Sequence, residues 1–217
     1  MRLAFLVLLL FVAEIRAETF ETGTLLLVEN SSNVIERYTD SSYTHVVIVV
    51  MDDVPWVYEA EPPKVRRITL EQWLTEMAKY NEGWASPALL SVVKPNKPYA
   101  DEEIVRLKQF LESQKGEPYS LRGYLRNQTG DGIHCSQLCA GAIEAVGRLE
   151  FSAPNHRISP EDLRHLVGVG YRQHGRKLCV SLKREFRRTT CTRWSDWWVS
   201  QEELCRWSYW EALKLYW

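Results

Sequence analysis

The sequence predicts an α+β domain, an antiparallel sheet packed against helices, and three observations carry that expectation. The run Tyr43-Thr44-His45-Val46-Val47-Ile48-Val49-Val50-Met51 is β-branched and apolar almost throughout, the pattern of a strand buried on both faces. Asp52-Asp53-Val54-Pro55 then turns the chain tightly into Trp56-Val57-Tyr58-Glu59-Ala60, so the two strands pair antiparallel as a hairpin. Around this hairpin, apolar residues recur at helical spacing in separate stretches near Leu70, Ile104 and Leu138.

In chain order, residues 1–17 carry one early positive residue, Arg2, an apolar run over residues 3–13, and small residues at Ala13 and Ala17. That is the layout of a secretory signal peptide cleaved after Ala17, which makes the protein secreted or periplasmic. The run is too short for a permanent membrane span. An uncleaved anchor is the competing reading, because Glu14 and Arg16 crowd the cleavage region. The expected organisation is a signal peptide at 1–17, a catalytic domain at 18–168 and a C-terminal extension at 169–217.

The mature chain opens with a turn at Thr22-Gly23 and a short apolar strand, Leu25-Leu26-Leu27-Val28-Glu29, and a polar stretch at residues 30–42 leads into the long strand. In the second strand of the hairpin, alternation puts Trp56, Tyr58 and Ala60 on one face and Val57 and Glu59 on the other. Thr69-Leu70-Glu71-Gln72 has capping-box spacing and opens a helix with Leu70, Trp73, Leu74 and Met77. Ala88-Leu89-Leu90-Ser91-Val92-Val93 is a third strand, ended by Lys94-Pro95. Asp101 caps a longer helix with Ile104, Leu107, Phe110 and Leu111, closed by Gly116. Ser159-Pro160-Glu161-Asp162 starts a short helix with Pro in its first turn.

Between the last two helices lies Gly130-Asp131-Gly132-Ile133-His134-Cys135-Ser136-Gln137-Leu138-Cys139. The glycines break any preceding element, and Leu138, Cys139, Ala142, Ile143 and Val146 mark a helix that Gly147 stops. Cys135 therefore stands at a helix N-terminus, where free N–H groups and the helix dipole favour a thiolate and could receive an oxyanion. The structural alternative is a buried cysteine opening a core helix. A base elsewhere decides between them, and the hairpin supplies one: pairing across the turn brings Glu59 opposite the start of the first strand, where His45 lies. The alternatives are a strand-edge histidine and a solvated carboxylate paired with Lys64 or Arg66. His134 adjoins Cys135, but neighbours at a helix start point different ways. His156, His165 and His174 lie in polar surroundings and read as surface. No histidine pair has a metal-ligand spacing with cysteine or carboxylate, so neither a metal nor another cofactor is expected.

The succession Gly23-Thr24-Leu25-Leu26, Ser42-Tyr43-Thr44-His45-Val46-Val47, Val57-Tyr58-Glu59-Ala60, Gly116-Glu117-Pro118-Tyr119-Ser120 and His134-Cys135-Ser136-Gln137-Leu138 resembles the permuted papain-like amidases of the YaeF/YiiX type, relatives of the NlpC-type cell-wall peptidases. The resemblance extends over residues 22–168. It implies a permuted papain-like fold, with the histidine strand first and the cysteine helix last, in the order His45, Glu59, Cys135. It also implies roles: Cys135 resembles the nucleophile, His45 the general base and Glu59 the orienting third group of a triad acting through an acyl-enzyme. Two positions depart from the family: Ser120 stands where an aspartate is usual, and Gln137 where an acidic residue is usual.

The full chain has a formal net charge of −1, which becomes −2 once Arg2, Arg16 and Glu14 are removed with residues 1–17, and nothing in that balance favours nucleic acid. Five cysteines leave one unpaired in an oxidising compartment. With Cys135 free, Cys139, Cys179, Cys191 and Cys205 allow two bridges in three connectivities, which the sequence does not rank. Glycosylation sequons stand at Asn30 and Asn127.

From Val169 the composition changes. Residues 172–193 hold eight Arg or Lys against one acid, Glu185, and six of the nine tryptophans fall at Trp194 or later. Ser200-Gln201-Glu202-Glu203 opens a helix with Leu204, Trp207, Trp210, Leu213 and Trp217 on one side. The extension either packs on the core, held by Cys179, Cys191 and Cys205, or offers a basic, Trp-rich surface to a membrane or an anionic polymer. The functional expectation is a secreted cysteine hydrolase cleaving a peptide or cell-wall-type amide bond. The alternatives are a thiol-dependent lipid esterase or acyltransferase on the same site, and a non-catalytic binding module using the tail.

Overall fold

The structure, a computed structural model, describes residues 20–39, 41–82, 87–126 and 132–180. Along them run β1 (Leu25–Glu29), α1 (Asn33–Thr39), β2 (Tyr43–Val50), β3 (Trp56–Glu61), β4 (Lys64–Thr69), α2 (Leu70–Glu82), β5 (Leu89–Pro95), α3 (Asp101–Gln114), α4 (Arg122–Arg126), α5 (Cys135–Ala145), α6 (Pro160–Leu166) and β6 (Tyr171–Cys179). The strands form one antiparallel sheet in the order β4-β3-β2-β1-β5-β6. The chain is thus α+β, with helices against an antiparallel sheet.

Strand alternation divides the core into two layers. Leu25 and Leu27 of β1, Val46, Ile48 and Val50 of β2, and Tyr58 and Ala60 of β3 face α3, α5 and α6 through Leu107, Leu111, Leu138, Ile143 and Leu163. Leu26, Val28, Val47, Val49 and Val57 face the other way, onto Leu70, Trp73 and Ala78 of α2. Full burial of each large aliphatic side chain contributes roughly 1.5–3 kcal/mol before conformational entropy is counted.

Several elements differ from expectation for identifiable reasons. Residues 30–42, read as a polar stretch, contain α1, whose first turn is tied down by the Ser32 hydroxyl accepting the Ile35 N–H at 3.3 Å. Asp101 is not the cap of α3 but its first residue. Ala100 is the cap, and its N–H donates to Glu103 Oε2 at 2.7 Å. At α2 the Thr69 hydroxyl accepts the Gln72 N–H at 3.1 Å, while the Gln72 side chain turns to Glu76, so only half of the expected capping box forms.

The composition change at Val169 marks no break in the sheet. β6 pairs with β5 from Pro95↔Tyr171 to Leu89↔Cys179, and the Val180 carbonyl accepts from the Asn81 side chain at 2.8 Å. The first basic residues of the expected extension, Arg172 and Lys177, lie exposed on an edge strand, where charge discourages pairing with other chains. The remainder of the extension, the Trp-rich helix, Cys191 and Cys205, and likewise the leader at 1–17 and the sequon at Asn127, lie outside the described residues.

Candidate active site

The nucleophile helix is fixed by the turn before it. Gly132 has φ +122, and a Cβ there would lie 2.5 Å from the Pro118 carbonyl oxygen and 2.9 Å from the Ser120 Cβ. That close approach lets the Ile133 N–H donate to Pro118 O at 2.9 Å and the Ser120 N–H donate to Ile133 O at 3.1 Å. The same Gly116 to Ser120 turn bonds to edge strand β4, with the Val65 N–H on Glu117 O and the Gly116 N–H on Val65 O. The approach to Cys135 is therefore stitched to the sheet. Gly132→Ala is expected to lower stability by about 1–3 kcal/mol, since it adds a positive-φ strain to a backbone clash. A thermal melt reads that loss directly.

His45 and Glu59 meet where the hairpin ladder opens. The β2–β3 register runs Ile48↔Tyr58, Val49↔Val57 and Val50↔Trp56. Both strands continue past it, and in their continuation His45 Nε2 lies 3.0 Å from Glu59 Oε2. Glu59 is 1% exposed, and its carboxylate is enclosed by donors. Trp73 Nε1–H of α2 donates to Oε2 at 3.0 Å, and Arg66 Nε–H donates to Oε1 at 2.7 Å, Arg66 being the cross-strand partner of Glu59 on β4. The Arg66 guanidinium also reaches Glu61 and Glu76, each at 2.8 Å. Burying a carboxylate costs several kcal/mol, and this ring of donors offsets it.

Glu59 engages Nε2 of His45 and leaves Nδ1 as its other ring nitrogen, and the imidazole and the Cys135 thiol shift one another's ionisation. Burial pushes the Cys135 thiol up, but hydrogen bonds from His134 and His45 and the His45 charge overcome it and bring its pKa down to about 5. Burial pulls His45 down, and Cys135 and Glu59 together raise it well above its ordinary value. Burial pushes Glu59 up, and His45, Arg66 and Trp73 hold it below the usual carboxylate range. The resting state these shifts describe is a thiolate–imidazolium pair backed by an ionised Glu59.

His134 is buried and forms the N-cap of α5, with Nδ1 3.1 Å from Ser136 Oγ. Its Nε2 faces the His156 carbonyl at 3.1 Å, so His156 takes part through its backbone. His165 is exposed and pairs with Glu161, and His174 lies on β6. Ser120 lies in the turn before Gly132, its hydroxyl accepting the Arg122 N–H at 3.2 Å, and the Gln137 N–H donates to His134 Nδ1 at 3.4 Å.

Cys139, one of the four cysteines available for bridging, is a free thiol in the core, 3.9 Å from the Val46 carbonyl, and burial pushes its pKa well up. It is inert by burial. Cys179 is free and exposed on β6. A cavity of about 230 Å³ opens beside His45 and Glu59, walled by Ile35, Trp73, Met77, Tyr80 and Tyr119. Among the described residues no group of three or more His, Cys, Asp or Glu side chains is placed to hold a metal ion, and no helix is long and apolar enough to cross a membrane.

No protein-family model matches the chain, and no curated protein matches it. Among solved structures, the chain is similar to the crystal structure of metalloprotein yiiX from Escherichia coli O157:H7, DUF1105, at 21% identity over 59% of this chain and 67% of that chain, with a TM-score of 0.46.

Proposed function

We propose that the protein is an exported cysteine hydrolase of permuted papain-like type, cleaving an amide bond in a peptide or cell-wall-type substrate. The observation that carries the reading is a thiol at a helix N-terminus whose pKa is drawn down to about 5 beside a histidine held by a buried, ionised Glu59. A merely structural cysteine, such as Cys139, shows the opposite shift.

In the proposed cycle the Cys135 thiolate attacks the acyl carbon, and the carbonyl electron pair moves to oxygen, where N–H groups at the start of α5 can receive it. The tetrahedral intermediate expels the amine nitrogen, which takes the proton of the His45 imidazolium. Neutral His45 then removes a proton from water, whose oxygen attacks the thioester. Collapse frees the carboxylic acid and returns the thiolate–imidazolium pair. Throughout, Glu59 accepts from His45 Nε2–H and keeps Nδ1 directed at sulfur. The cavity beside His45 and Glu59, which Cys135 does not line, offers room next to the base for part of a substrate.

The same intermediate serves a lipid esterase or an acyltransferase, with alcohol as leaving group or acceptor in place of amine or water. Exposing the protein to a panel of peptide amides, lipid esters and lipid amides should give an acyl mass adduct on Cys135, absent in Cys135→Ser, and the panel member that reacts names the substrate class. If no acyl donor adds to Cys135, the hydrolase and acyltransferase readings both fall, leaving a binding module that works through the Trp-rich tail.

A further inference from the structure

We propose that Trp73 is a positioning residue of the triad, its indole N–H fixing the oxygen that Glu59 turns to His45. The inference rests on the cysteine-hydrolase reading above.

The two oxygens of Glu59 are divided between different partners. Oε2 lies 3.0 Å from His45 Nε2 and accepts Trp73 Nε1–H at 3.0 Å, while Oε1 accepts Arg66 Nε–H at 2.7 Å. Arg66 is kept to its side of the carboxylate, because its Nη2 is taken by Glu61 and Glu76, each at 2.8 Å. Oε2 is therefore left to His45 and Trp73. The terminal torsion of a glutamate is broad, so burial alone does not fix the plane of its carboxylate. The donors around it do.

Of the two donors on Oε2, one changes during the proposed cycle and the other does not. His45 holds the carboxylate as an imidazolium before it protonates the leaving amine, and as a neutral ring afterwards. A neutral donor makes a bond roughly half as strong as a charged one. The hold of His45 on Oε2 thus weakens at the step in which it must draw a proton from water. The indole N–H does not titrate and keeps Oε2 in place through both half-reactions.

A buried tryptophan usually finds an acceptor for its N–H, and a backbone carbonyl would satisfy that need. Trp73 instead takes the oxygen that His45 uses, and it does so from a rigid base. The side chain is 3% exposed, and α2 is tied down at both ends. At its start the Leu70 N–H donates to Pro55 O at 2.9 Å. Near its end the Asn81 side chain donates to the Ala88 and Val180 carbonyls and accepts the Ala88 N–H. Glu76 stands three residues beyond Trp73, on the same side of the helix. One helix thereby acts on both oxygens of Glu59, directly through Trp73 and by way of Arg66 through Glu76.

The test is the pH profile of Cys135 alkylation by iodoacetamide in the wild type, Trp73→Phe, Glu59→Gln and the double variant, each with a thermal melt. Phenylalanine keeps an aromatic ring in the layer and removes the N–H. Trp73→Phe is expected to raise the alkylation midpoint by about half a unit or more, and to lower turnover of any acyl donor found for the wild type by roughly tenfold. In the Glu59→Gln background it should add nothing, since a residue that works through Glu59 has lost its means of acting. A low wild-type midpoint left unmoved by Trp73→Phe, whatever the melting temperature does, makes the indole structural and overturns this inference alone. So does an equal shift in both backgrounds. An ordinary thiol midpoint in the wild type overturns the hydrolase reading and this inference with it. Should Trp73→Phe unfold, benzothienylalanine at position 73, with sulfur in place of the N–H, gives the same decision: a raised midpoint supports the role, and an unmoved one overturns it.

Discussion

Glu59→Ala is expected to destabilise the protein by about 3–5 kcal/mol, the usual result of removing one member of a buried charged cluster. Three donors converge on this carboxylate, and all would lose their acceptor: His45 Nε2–H, Trp73 Nε1–H and the Arg66 guanidinium. Glu59→Gln separates stability from chemistry. The amide keeps the shape and can still accept from Arg66, but its NH₂ then faces the donors of His45 and Trp73. His45 loses both its orienting acceptor and the charge that favours its imidazolium, and turnover is expected to fall on the order of 10²–10⁴-fold. The pH dependence carries a sign. Glu59 is held below its unfolded value, so the stability it contributes is present above roughly pH 4.5 and is lost as the pH falls through its lower folded value. Urea melts at pH 7 and below pH 4 should therefore differ less for Glu59→Ala than for the wild type.

His45→Ala is the second large effect. Without the imidazole the thiolate loses its counter-ion and the leaving group loses its proton donor, so turnover of any acyl donor found for the wild type should fall by about 10³–10⁴-fold. The fold should survive better than in Glu59→Ala, because His45 is at the sheet's open end with 16% of its side chain exposed. A Glu59 carboxylate freed of His45 still has Arg66 and Trp73. If activity survives in His45→Ala, another group is the base.

Much of this arrangement is legible in the sequence, and the rest is hidden for physical reasons. The β-branched run at β2 and the tight turn after it are local signals, and strand alternation alone puts Glu59 and Val57 on one face and Tyr58 and Ala60 on the other, as found. β4 escapes notice because Lys64-Val65-Arg66-Arg67-Ile68-Thr69 is rich in charge, as befits an edge strand. β6 escapes for the same reason and reads as the start of a basic tail. Arg66 was visible as a partner for Glu59, yet sequence gives an ordinary surface pair, whereas pairing across β3 and β4 under α2 buries the carboxylate. Trp73 belongs to an apolar helical stripe, and nothing local distinguishes a packing indole from one whose N–H reaches a carboxylate. The N-cap role of His134 is hidden because side-chain direction there depends on the incoming chain, which is set by the distant contact of Gly132 with Pro118.

The most direct test of the account is the pH dependence of Cys135 alkylation by iodoacetamide in the folded wild-type protein, with Cys135→Ser as the blank for Cys139 and Cys179. A thiolate paired with His45 predicts rapid modification that persists down to about pH 5. Slow modification rising only near the free-thiol pKa of ~8.5 would contradict the account, leaving Cys135 a buried thiol at the start of a core helix.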